Sequence, residues 1–306
     1  MNGWLFRFVL RRVSAAALFV SAIALAALVI VHLAPGDATT ELRAIGASDD
    51  TIARARERLG LDRPFVEQAA RWVASAARGD LGESSLFGRP VGALVAGRLA
   101  ATARLASVAL LLATVIGVPL GMFTGARPSH WVARLVTPVS VALLSCPPLV
   151  GALALLWVAA STGWLSFEPG ALAVPVLALS LPIAASLERL QSQAAREAMA
   201  APDMLAAAAR GIPPHRLVWV HAARQSLRPV LGVYGVLIGS LFGGAFAVEV
   251  ITSWPGLGRL MYDALRGRDV NLVAGCALAG ASCLMVGNLL ADAARAVVDP
   301  RSGDAT

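Results

Sequence analysis

The sequence predicts an all-α membrane protein with six transmembrane helices. An external helical segment is expected between spans 1 and 2, and a cytoplasmic helix between spans 4 and 5. The first observation behind this is composition: 57% of the 306 residues are apolar and 15% are charged, against about 25% charged in soluble domains. The second is a set of six uncharged apolar stretches, each long enough to cross a bilayer. Lipid is therefore the expected surrounding of most of the chain.

The predicted spans are residues 13–33, 105–123, 135–160, 171–187, 230–248 and 272–291. A helix of about 17–25 apolar residues crosses the hydrocarbon layer. Arginines precede the first span, as in a signal peptide, but a signal has an apolar core of only about 7–15 residues, so we expect an uncleaved span. The predicted division is therefore 1–33 (tail and first span), 34–104 (external segment), 105–296 (core transmembrane domain) and 297–306 (cytoplasmic tail).

The arginines predict the orientation. All 26 basic residues are arginines. Three lie in the N-terminal tail, two in loop 124–134 and six in loop 188–229, whereas loop 161–170 has none and loop 252–270 has three. Because cytoplasmic loops carry the excess of basic residues, both termini are expected in the cytoplasm. The same rule accounts for the net charge of +7, so no nucleic-acid partner is expected.

The external segment, residues 34–104, contains nine acidic residues and ten arginines, which cancel. Ser48 is a candidate N-cap for a helix that ends at Leu59, before Gly60. A second helix is expected from Phe65 to Arg78, closed by Gly79. A segment this small has little core of its own, so we expect it to pack on the membrane domain.

Prolines and glycines interrupt the spans. Pro147 and Pro148 break the third span, and Pro175 and Pro182 fall in the fourth. Gly235, Gly239 and Gly243 form two overlapping GxxxG patterns on the fifth, which favour close helix packing. Ordinary kinking and packing remain the alternative to a direct role in a translocation path.

Few polar groups are expected within the membrane. No charge falls deep in a predicted span, and Glu249, at the outer end of the fifth, comes closest. A proton-driven carrier usually needs a buried ionisable relay, so its absence argues against a self-powered pump but not against a channel. Cys146, Cys276 and Cys283 lie in apolar stretches and are expected to be small buried residues, with no metal site.

The polar loop between spans 4 and 5 has helix punctuation. Pro202 and Asp203 suit the first turn of a short helix, and Gly211 suits a left-handed C-terminal cap. Pro213 and Pro214 predict a break, followed by a second helix that runs to about Leu227. On the second helix three basic residues recur on one face: His221, Arg224 and Arg228. An alanine surface on the short helix suits a cleft on a partner protein, with a solvated linker as the alternative.

This loop resembles a known family. The residues that carry the likeness are Arg196-Glu197-Ala198, the spacing from Arg196 to Gly211, His221-Ala222-Ala223-Arg224 and Arg228-Pro229. They are similar to the EAA loop of ABC-transporter permeases, and specifically to the B-type permease subunit of dipeptide, oligopeptide and nickel importers. Further matching stretches occur in order along the chain: Pro35-Gly36-Asp37, LGLDRP (59–64), GDLGES (79–84), RPV (89–91), PGLGRL (255–260), Arg268-Asp269, Asn288-Leu289, Asp292 and DPR (299–301).

The resemblance implies the type-1 ABC importer transmembrane fold in a bacterial plasma (inner) membrane. It implies a second permease, two ATP-binding subunits that hold ATP and Mg²⁺, and an extracytoplasmic solute-binding protein. The chain itself would be no enzyme and carry no cofactor. Independently, the absence of lysine excludes a P-loop, which needs a Lys ammonium on the β- and γ-phosphates.

The resemblance also suggests roles for individual residues. The residues expected to couple to the ATPases in loop 196–228 are Glu197, Asp203, Ala207, Arg210, Gly211, His221 and Arg224. Those expected in the translocation path or in helix packing are Pro147, Pro148, Gly235, Gly239, Gly243 and Glu249. Those expected in the external loop at the exit from the binding protein are Pro255, Gly256, Gly258 and Arg259.

The loop departs from the family pattern. The family usually has an Asp-Tyr pair and an Arg in the coupling helix, where this chain has Pro202, Asp203 and Ala208. The lysine that usually precedes the loop glycine is Arg210 here. Di- and oligopeptides are the expected cargo, with nickel chelates or other small solutes as alternatives. An ATP-independent channel or carrier, and an intramembrane hydrolase, are the rival classes of function.

Overall fold

The computed structural model describes residues 2–33, 39, 46–59, 64–163, 168 and 170–298. These residues are almost entirely helical, with one isolated antiparallel bridge between Glu83 and Pro90. In chain order the helices are α1 (Asn2–Leu33), α2 (Asp49–Leu59), α3 (Phe65–Ala76), α4 (Val91–Ala126), α5 (Trp131–Ser145), α6 (Pro148–Thr162), α7 (Ala173–Ala200), α8 (Pro202–Ala209), α9 (Pro214–Arg216), a π-helical segment (Leu217–Ala222), α10 (Ala223–Leu231), α11 (Tyr234–Ile251), α12 (Leu257–Arg266) and α13 (Val270–Val298).

The chain forms two compact units. The first comprises residues 1–102 and 255–285, and the second comprises residues 103–254 and 286–306. Helix α4 begins in the first unit and ends in the second, and α13 does the same.

The core of the first unit lies where the first turns of α4 and α13 meet. Val91 is fully buried there beside Leu272 and Cys276. Gly275 permits the contact, since a Cβ at that position would lie 2.5 Å from Cγ1 of Val91. In a second cluster of the first unit, Trp72 of α3 packs with Ala24 of α1. The apolar side of α3 therefore packs on the helix that contains the first predicted span.

The core of the second unit is built around α7, which buries residues along most of its length. Helices α4, α5 and α6 pack against it, and α10 crosses its C-terminal half. Alanines and glycines at the crossings keep the backbones close, as is typical of helix pairs in membranes.

The apolar helices agree in part with the six predicted spans. Within the described part of the chain, four helices are long and apolar enough to cross a membrane: 91–126, 173–200, 234–251 and 270–289. The pair α5 and α6 would add a fifth if it crosses as one bent unit. In α1 the described apolar part is the shorter stretch Leu18–Leu33. The described residues thus form a helical fold with several apolar helices, and several of these helices extend well beyond the predicted span boundaries.

The third predicted span, residues 135–160, is not one straight helix. Helices α5 and α6 meet at an angle of 109°. Cys146 and Pro147 are extended, with ψ of 116° and 143°, and Pro148 starts α6 at its first position. A residue that precedes proline is pushed out of the helical region, so two consecutive prolines end one helix and begin the next.

The helices of residues 46–79 follow their predicted punctuation. The backbone N–H of Thr51 contacts the Ser48 hydroxyl at 3.4 Å, at the start of α2. Helix α3 ends at Ala76, two residues before the predicted Arg78, and Gly79 then adopts a φ of +84°. Gly60, the Pro35-Gly36-Asp37 stretch and the terminal DPR lie outside the described residues.

Candidate functional site

The loop that sequence analysis singled out contains a well-formed short helix, α8. Ala201 is extended, with ψ of 144°, and Pro202 starts the helix at its first position. At the other end Gly211 adopts a φ of +80°, which confirms the predicted left-handed cap. The N–H groups of Gly211 and Ile212 donate to the carbonyls of Ala208 and Ala207, at 3.0 and 3.3 Å. This is the paired hydrogen-bond pattern of a Schellman motif.

One face of α8 packs against the rest of the second unit. Met204 and Ala207 are buried in a cluster with residues of α4, α7 and the π-helical segment: Met122, Ala195, Ala198, Leu217, Val218 and Ala222. The sequence grouped Ala207 with the bare alanine surface, but it is only 5% exposed. Its position three residues after Met204 places both side chains on the inner face of the helix.

The opposite face of α8 is open. Leu205 is 64% exposed, and Ala206, Ala208 and Ala209 are exposed beside it. An exposed leucine flanked by alanines offers an apolar contact with little steric obstruction. The surface is therefore suited to a partner protein that brings its own side chains into the contact.

A polar contact connects α8 to a neighbouring helix, and the basic residues of the loop are exposed. The Gln225 amide donates to Oδ2 of Asp203 at 2.5 Å, which connects α8 to α10. Glu197 is exposed and accepts from Gln193 one turn earlier, at 3.2 Å. The predicted basic residues of the loop are exposed: Arg210, His221, Arg224 and Arg228. Asp203 thus anchors the helix, whereas the basic side chains are accessible.

The expected second helix, from Pro214 to about Leu227, is not a single α-helix. It consists of α9, the π-helical segment and α10, which continues to Leu231. Within it the N–H of Ala223 donates to the carbonyl of Val218, five residues earlier. This wide hydrogen bond defines a π turn.

A buried polar joint lies behind the loop. Gln191 of α7 is fully buried, and its Nε2 donates to Oγ of Ser226 in α10 at 2.7 Å. The sulfur of Met122 in α4 accepts from both groups, at 3.4 and 3.5 Å. This polar cluster thereby connects α4, α7 and α10.

A second buried polar group lies one turn earlier on α7. Glu188 is 2% exposed, and its two carboxyl oxygens accept from Thr124 of α4 at 2.6 Å and from Ser140 of α5 at 2.8 Å. Glu188 is therefore a buried charged residue that sequence analysis did not select. The predicted fourth span ended at Leu187, but the helix continues to Ala200 and encloses Glu188.

The closest helix contact is made by glycines that sequence analysis did not select. Gly117, Gly121 and Gly125 of α4 are spaced four residues apart and face α7. A Cβ at each would lie 2.8 Å from Cβ of Leu187, Gln191 and Ala195, respectively. The spacing is a double GxxxG pattern, and this signal was present in the sequence.

The predicted packing residues of α11 behave differently. Gly243 is exposed, and a Cβ there would meet nothing within 4 Å in this chain. The adjacent Gly244 makes the approach instead, with a Cβ position 3.4 Å from Leu179 and 3.6 Å from Pro148. Gly235 is buried and Gly239 half-buried. Pro148 therefore contributes both to the bend and to the contact with α11.

At the far end of α11, Glu249 is fully buried. Its carbonyl accepts from the N–H of Trp254 at 3.0 Å, and the Arg104 guanidinium lies over the Trp254 ring, 5.1 Å from its centroid. The Trp254 ring is buried, and its contact with Arg104 is a cation–π interaction.

The predicted external-loop residues belong to the first unit. Pro255 is exposed, Gly256 is buried and Gly258 is half-buried. The next residue, Leu257, donates its N–H to the Thr102 hydroxyl at 2.8 Å, which fixes the start of α12. Arg259 contacts Asp263 one turn later at 3.5 Å.

Asp269 organises the loop that precedes α4. Its carboxyl group accepts from the N–H of Leu272 at 3.0 Å, and so caps α13. The same side chain accepts from the Ser84 hydroxyl at 2.6 Å and from the N–H of Leu86 at 3.1 Å. One fully enclosed carboxyl group thus joins two segments far apart in the sequence.

We expect Asp269→Asn to lower the free energy of unfolding by about 1–2 kcal/mol, because an amide replaces one acceptor oxygen of a buried, fully bonded carboxyl group. Asp263→Asn, which alters only the partly exposed pair with Arg259, is the matched control and should change stability by less than about 0.5 kcal/mol. Thermal unfolding of the detergent-solubilised chain measures both. Equal unfolding temperatures for the two variants would refute the role of Asp269.

Comparisons with known proteins identify the relatives of this chain. A sequence model described as "Binding-protein-dependent transport system inner membrane component" matches residues 117–303, and the model of its N-terminal region matches residues 5–86. The "Probable peptide ABC transporter permease protein y4tP" of Sinorhizobium fredii is 29% identical over 96% of this chain and 98% of its own length. The "Oligopeptide transport system permease protein AppB" of Bacillus subtilis is 29% identical over the same shares. The "Glutathione transport system permease protein GsiC" of Escherichia coli is 29% identical over 88% of this chain and 90% of its own length.

Proposed function

Because the chain belongs to the family of binding-protein-dependent transport system inner membrane components, we propose that it forms, with a second permease, the translocation path of an ATP-driven importer. The second permease is a related subunit. Two ATP-binding subunits hold ATP and Mg²⁺ in the cytoplasm, and an external solute-binding protein delivers the cargo. This chain forms part of the path of the cargo across the membrane and carries no P-loop, since a chain without lysine lacks the ammonium group that such a loop needs.

The proposed topology has six crossings, with both termini in the cytoplasm. The four long apolar helices supply four crossings, the bent pair α5 and α6 a fifth, and α1 the sixth. The distribution of arginines supports this orientation, because the loop that contains α8 has six of them. The membrane is the bacterial inner membrane, as the family description implies.

The proposal rests mainly on the packing of α8, which is buried on one face and exposed on the other. Its inner face is packed into the second unit, whereas Leu205 and the neighbouring alanines are exposed. A short helix that is packed on one face and exposed on the other can dock in a cleft of an ATPase and transmit its movement to the membrane helices. ATP-driven closure of the ATPases displaces α8, and the elements packed beneath it transmit the displacement to the spans. The residues proposed to take part are Glu197, Asp203, Arg210, Gly211, His221 and Arg224. Ala207 is proposed to contribute from the buried face of α8, through its packing in the second unit.

Di- and oligopeptides are the proposed cargo. The relatives are named for peptide, oligopeptide and glutathione transport, and glutathione is itself a small peptide. Nickel chelates remain the alternative that the test must separate. The residues that line the path are proposed among the bend at Pro147 and Pro148, the glycine face of α11 and Glu249.

The test combines purification and transport. A tagged chain isolated from its native membranes should bring down an ATP-binding subunit and a second permease. The reconstituted complex should accumulate labelled dipeptides or oligopeptides only with ATP and the solute-binding protein present. If the purified chain transported solute without any partner subunit, the protein would be a carrier. Uptake of a nickel chelate without peptide uptake would correct the cargo.

We expect Gly211→Val to reduce uptake several-fold while basal ATP hydrolysis continues. The reason is backbone strain at the C-terminal end of α8. The φ angle of Gly211 is +80°, and a β-branched residue in that conformation costs about 1–3 kcal/mol. A Cβ there meets nothing within 4 Å, so steric clash is not the cause. Uptake and substrate-stimulated ATPase activity of the reconstituted complex measure the effect.

Gly163→Val is the matched control. Gly163 caps α6 with a φ of +69° and also has open space around its Cβ position. The control therefore introduces similar strain away from α8, and it should leave coupling intact. A similar loss of uptake in both variants would show that strain alone, and not the position of α8, limits transport.

A further inference from the structure

The turn between α4 and α5 contains a cluster of aromatic and basic side chains. The Arg127 guanidinium lies over the ring of Phe123, 5.5 Å from its centroid, which is the geometry of a cation–π contact. The Phe123 ring meets the His130 ring edge-on, with 5.1 Å between the centroids. The His130 ring lies 5.9 Å from that of Trp131. These four side chains therefore form one continuous group where α4 ends and α5 begins.

The positive charge of this turn is available to an anion from outside the chain. Arg127 and Arg134 are exposed. Among the residues that the structure describes, neither forms an ion pair with a carboxylate. The sequence contains no acidic residue between Glu83 and Glu168, and the buried carboxyl group of Glu188 uses both oxygens for hydroxyl groups. The two arginines therefore form a cationic patch that the neighbouring helices do not neutralise.

The outer face of α5 continues from this patch as an apolar stripe. Trp131, Leu135 and Val139 are 65%, 59% and 55% exposed, and their spacing of four residues places them along one side of the helix. Arg134 lies at the Trp131 end of the stripe, and α5 has no charged residue after it. Ser140 lies on the packed side, where its hydroxyl bonds to a side chain of α7. The exposed side of α5 therefore has its cations at one end and apolar side chains over the following turns.

We propose that Arg127, Trp131 and Arg134 bind the headgroup of an anionic phospholipid, whose acyl chain lies along the apolar stripe of α5. The polarity of this surface matches such a lipid from end to end. Arginine and tryptophan suit the level of the headgroups, since each has an apolar body and a polar end. The proposal rests on the topology given under the proposed function, in which this turn lies on the cytoplasmic side. The lipids of that leaflet include anionic ones, and these attract arginines close to the membrane surface.

Native mass spectrometry of the purified full chain in detergent tests the site. Phosphatidylglycerol should bind to the wild type about tenfold more tightly than phosphatidylcholine with the same acyl chains, because two arginines near a headgroup favour a net negative charge by about that factor. Arg127→Gln combined with Arg134→Gln should abolish this preference. An unchanged preference in that variant would overturn the proposal.

Arg78→Gln combined with Arg89→Gln is the matched control. Both arginines are exposed and lie in the first unit, so the control removes the same charge from another part of the chain. It should keep the wild-type preference, and an equal loss would show that net charge alone attracts the lipid. Millimolar inorganic phosphate should not displace phosphatidylglycerol from the wild type. Displacement would identify a site for free phosphate and overturn the lipid assignment.

The complex purified with its natural partner subunits supplies a second measurement. It should retain phosphatidylglycerol through purification, and the variant that lacks Arg127 and Arg134 should lose it. If the assembled complex excluded a lipid that the isolated chain binds, this face of α5 would be an interface with another subunit, and the proposal would be overturned. Absence of an ATPase from the complex would instead refute the proposed function, and titration of the chain alone would still decide whether the lipid site exists.

Discussion

Gly121→Ala should remove most of the correctly folded protein. A Cβ at Gly121 would lie 2.8 Å from Cβ of Gln191, and closer still to the backbone carbonyl of Glu188. Backbone atoms cannot rotate away as a side chain does, so α4 and α7 would have to separate. Separation would also stretch the hydrogen bonds from Thr124 to Glu188 and from Gln191 to the sulfur of Met122. We expect a loss of about 3 kcal/mol, at the upper end for overpacked cores.

Gly97→Ala on the same helix is the matched control. Gly97 is exposed, and a Cβ there would meet nothing within 4 Å. Since alanine favours a helix over glycine by about 1 kcal/mol, this control should be neutral or stabilising. The yield of monodisperse protein in detergent and its thermal unfolding temperature measure both variants. If the two changes had the same sign, tight packing of α4 on α7 would not be what holds the second unit together.

The contrast between two glycine patterns shows what local sequence can and cannot predict. Both α4 and α11 carry two overlapping GxxxG motifs. The glycines of the α4 motif meet a helix backbone, whereas Gly243 of the α11 motif faces open space. A GxxxG motif indicates only that another helix can approach closely. Which helix approaches depends on packing between residues 67 and 70 positions apart, such as Gly121 with Glu188 and Gln191, and no local pattern contains that information.

The loop between the fourth and fifth predicted spans shows the same division. The start of α8 at Pro202 and the left-handed conformation of Gly211 were predictable, because each follows from the chemistry of one or two residues. The burial of Ala207 was not, since it depends on residues brought together from α7 and the π-helical segment. The π turn itself has no local signature in Leu217–Ala222.

The sequence located the break at Pro147-Pro148 but not its angle. Proline restricts its own φ and the conformation of the residue before it, so an interruption was predictable. The angle of 109° between α5 and α6 is determined by what each helix packs against. Both pack on α7, and the contact of Pro148 with Gly244 adds a further constraint.

Glu188 was missed because an apolarity criterion ends a span at the first charged residue. The structure shows that the helix continues, and that two hydroxyl groups from neighbouring helices meet the carboxyl group. A buried acidic residue needs such partners, since burial without hydrogen bonds costs several kcal/mol. Thr124 and Ser140 are therefore the sequence features that accompany Glu188, but their proximity arises only from the fold.

Glu188→Ala should lower the free energy of unfolding by about 3 kcal/mol, since it leaves two buried hydroxyl groups without their acceptor and opens a cavity where three helices meet. Back-bonding to helix carbonyls, as in the 3.3 Å contact of Thr124 with Gly121, limits the loss. Glu188→Gln keeps the volume and one acceptor oxygen, so about 1 kcal/mol is expected there.

Glu197→Ala is the matched control, because Glu197 lies on the same helix but is exposed and bonds only to Gln193. It should change stability by less than about 0.5 kcal/mol. Unfolding of the detergent-solubilised variants, followed by tryptophan fluorescence, gives the order Glu188→Ala, Glu188→Gln, Glu197→Ala from least to most stable. If Glu188→Ala matched the control, its two hydrogen bonds would contribute nothing net, and α4, α5 and α7 would be held by apolar packing and the glycine contacts alone.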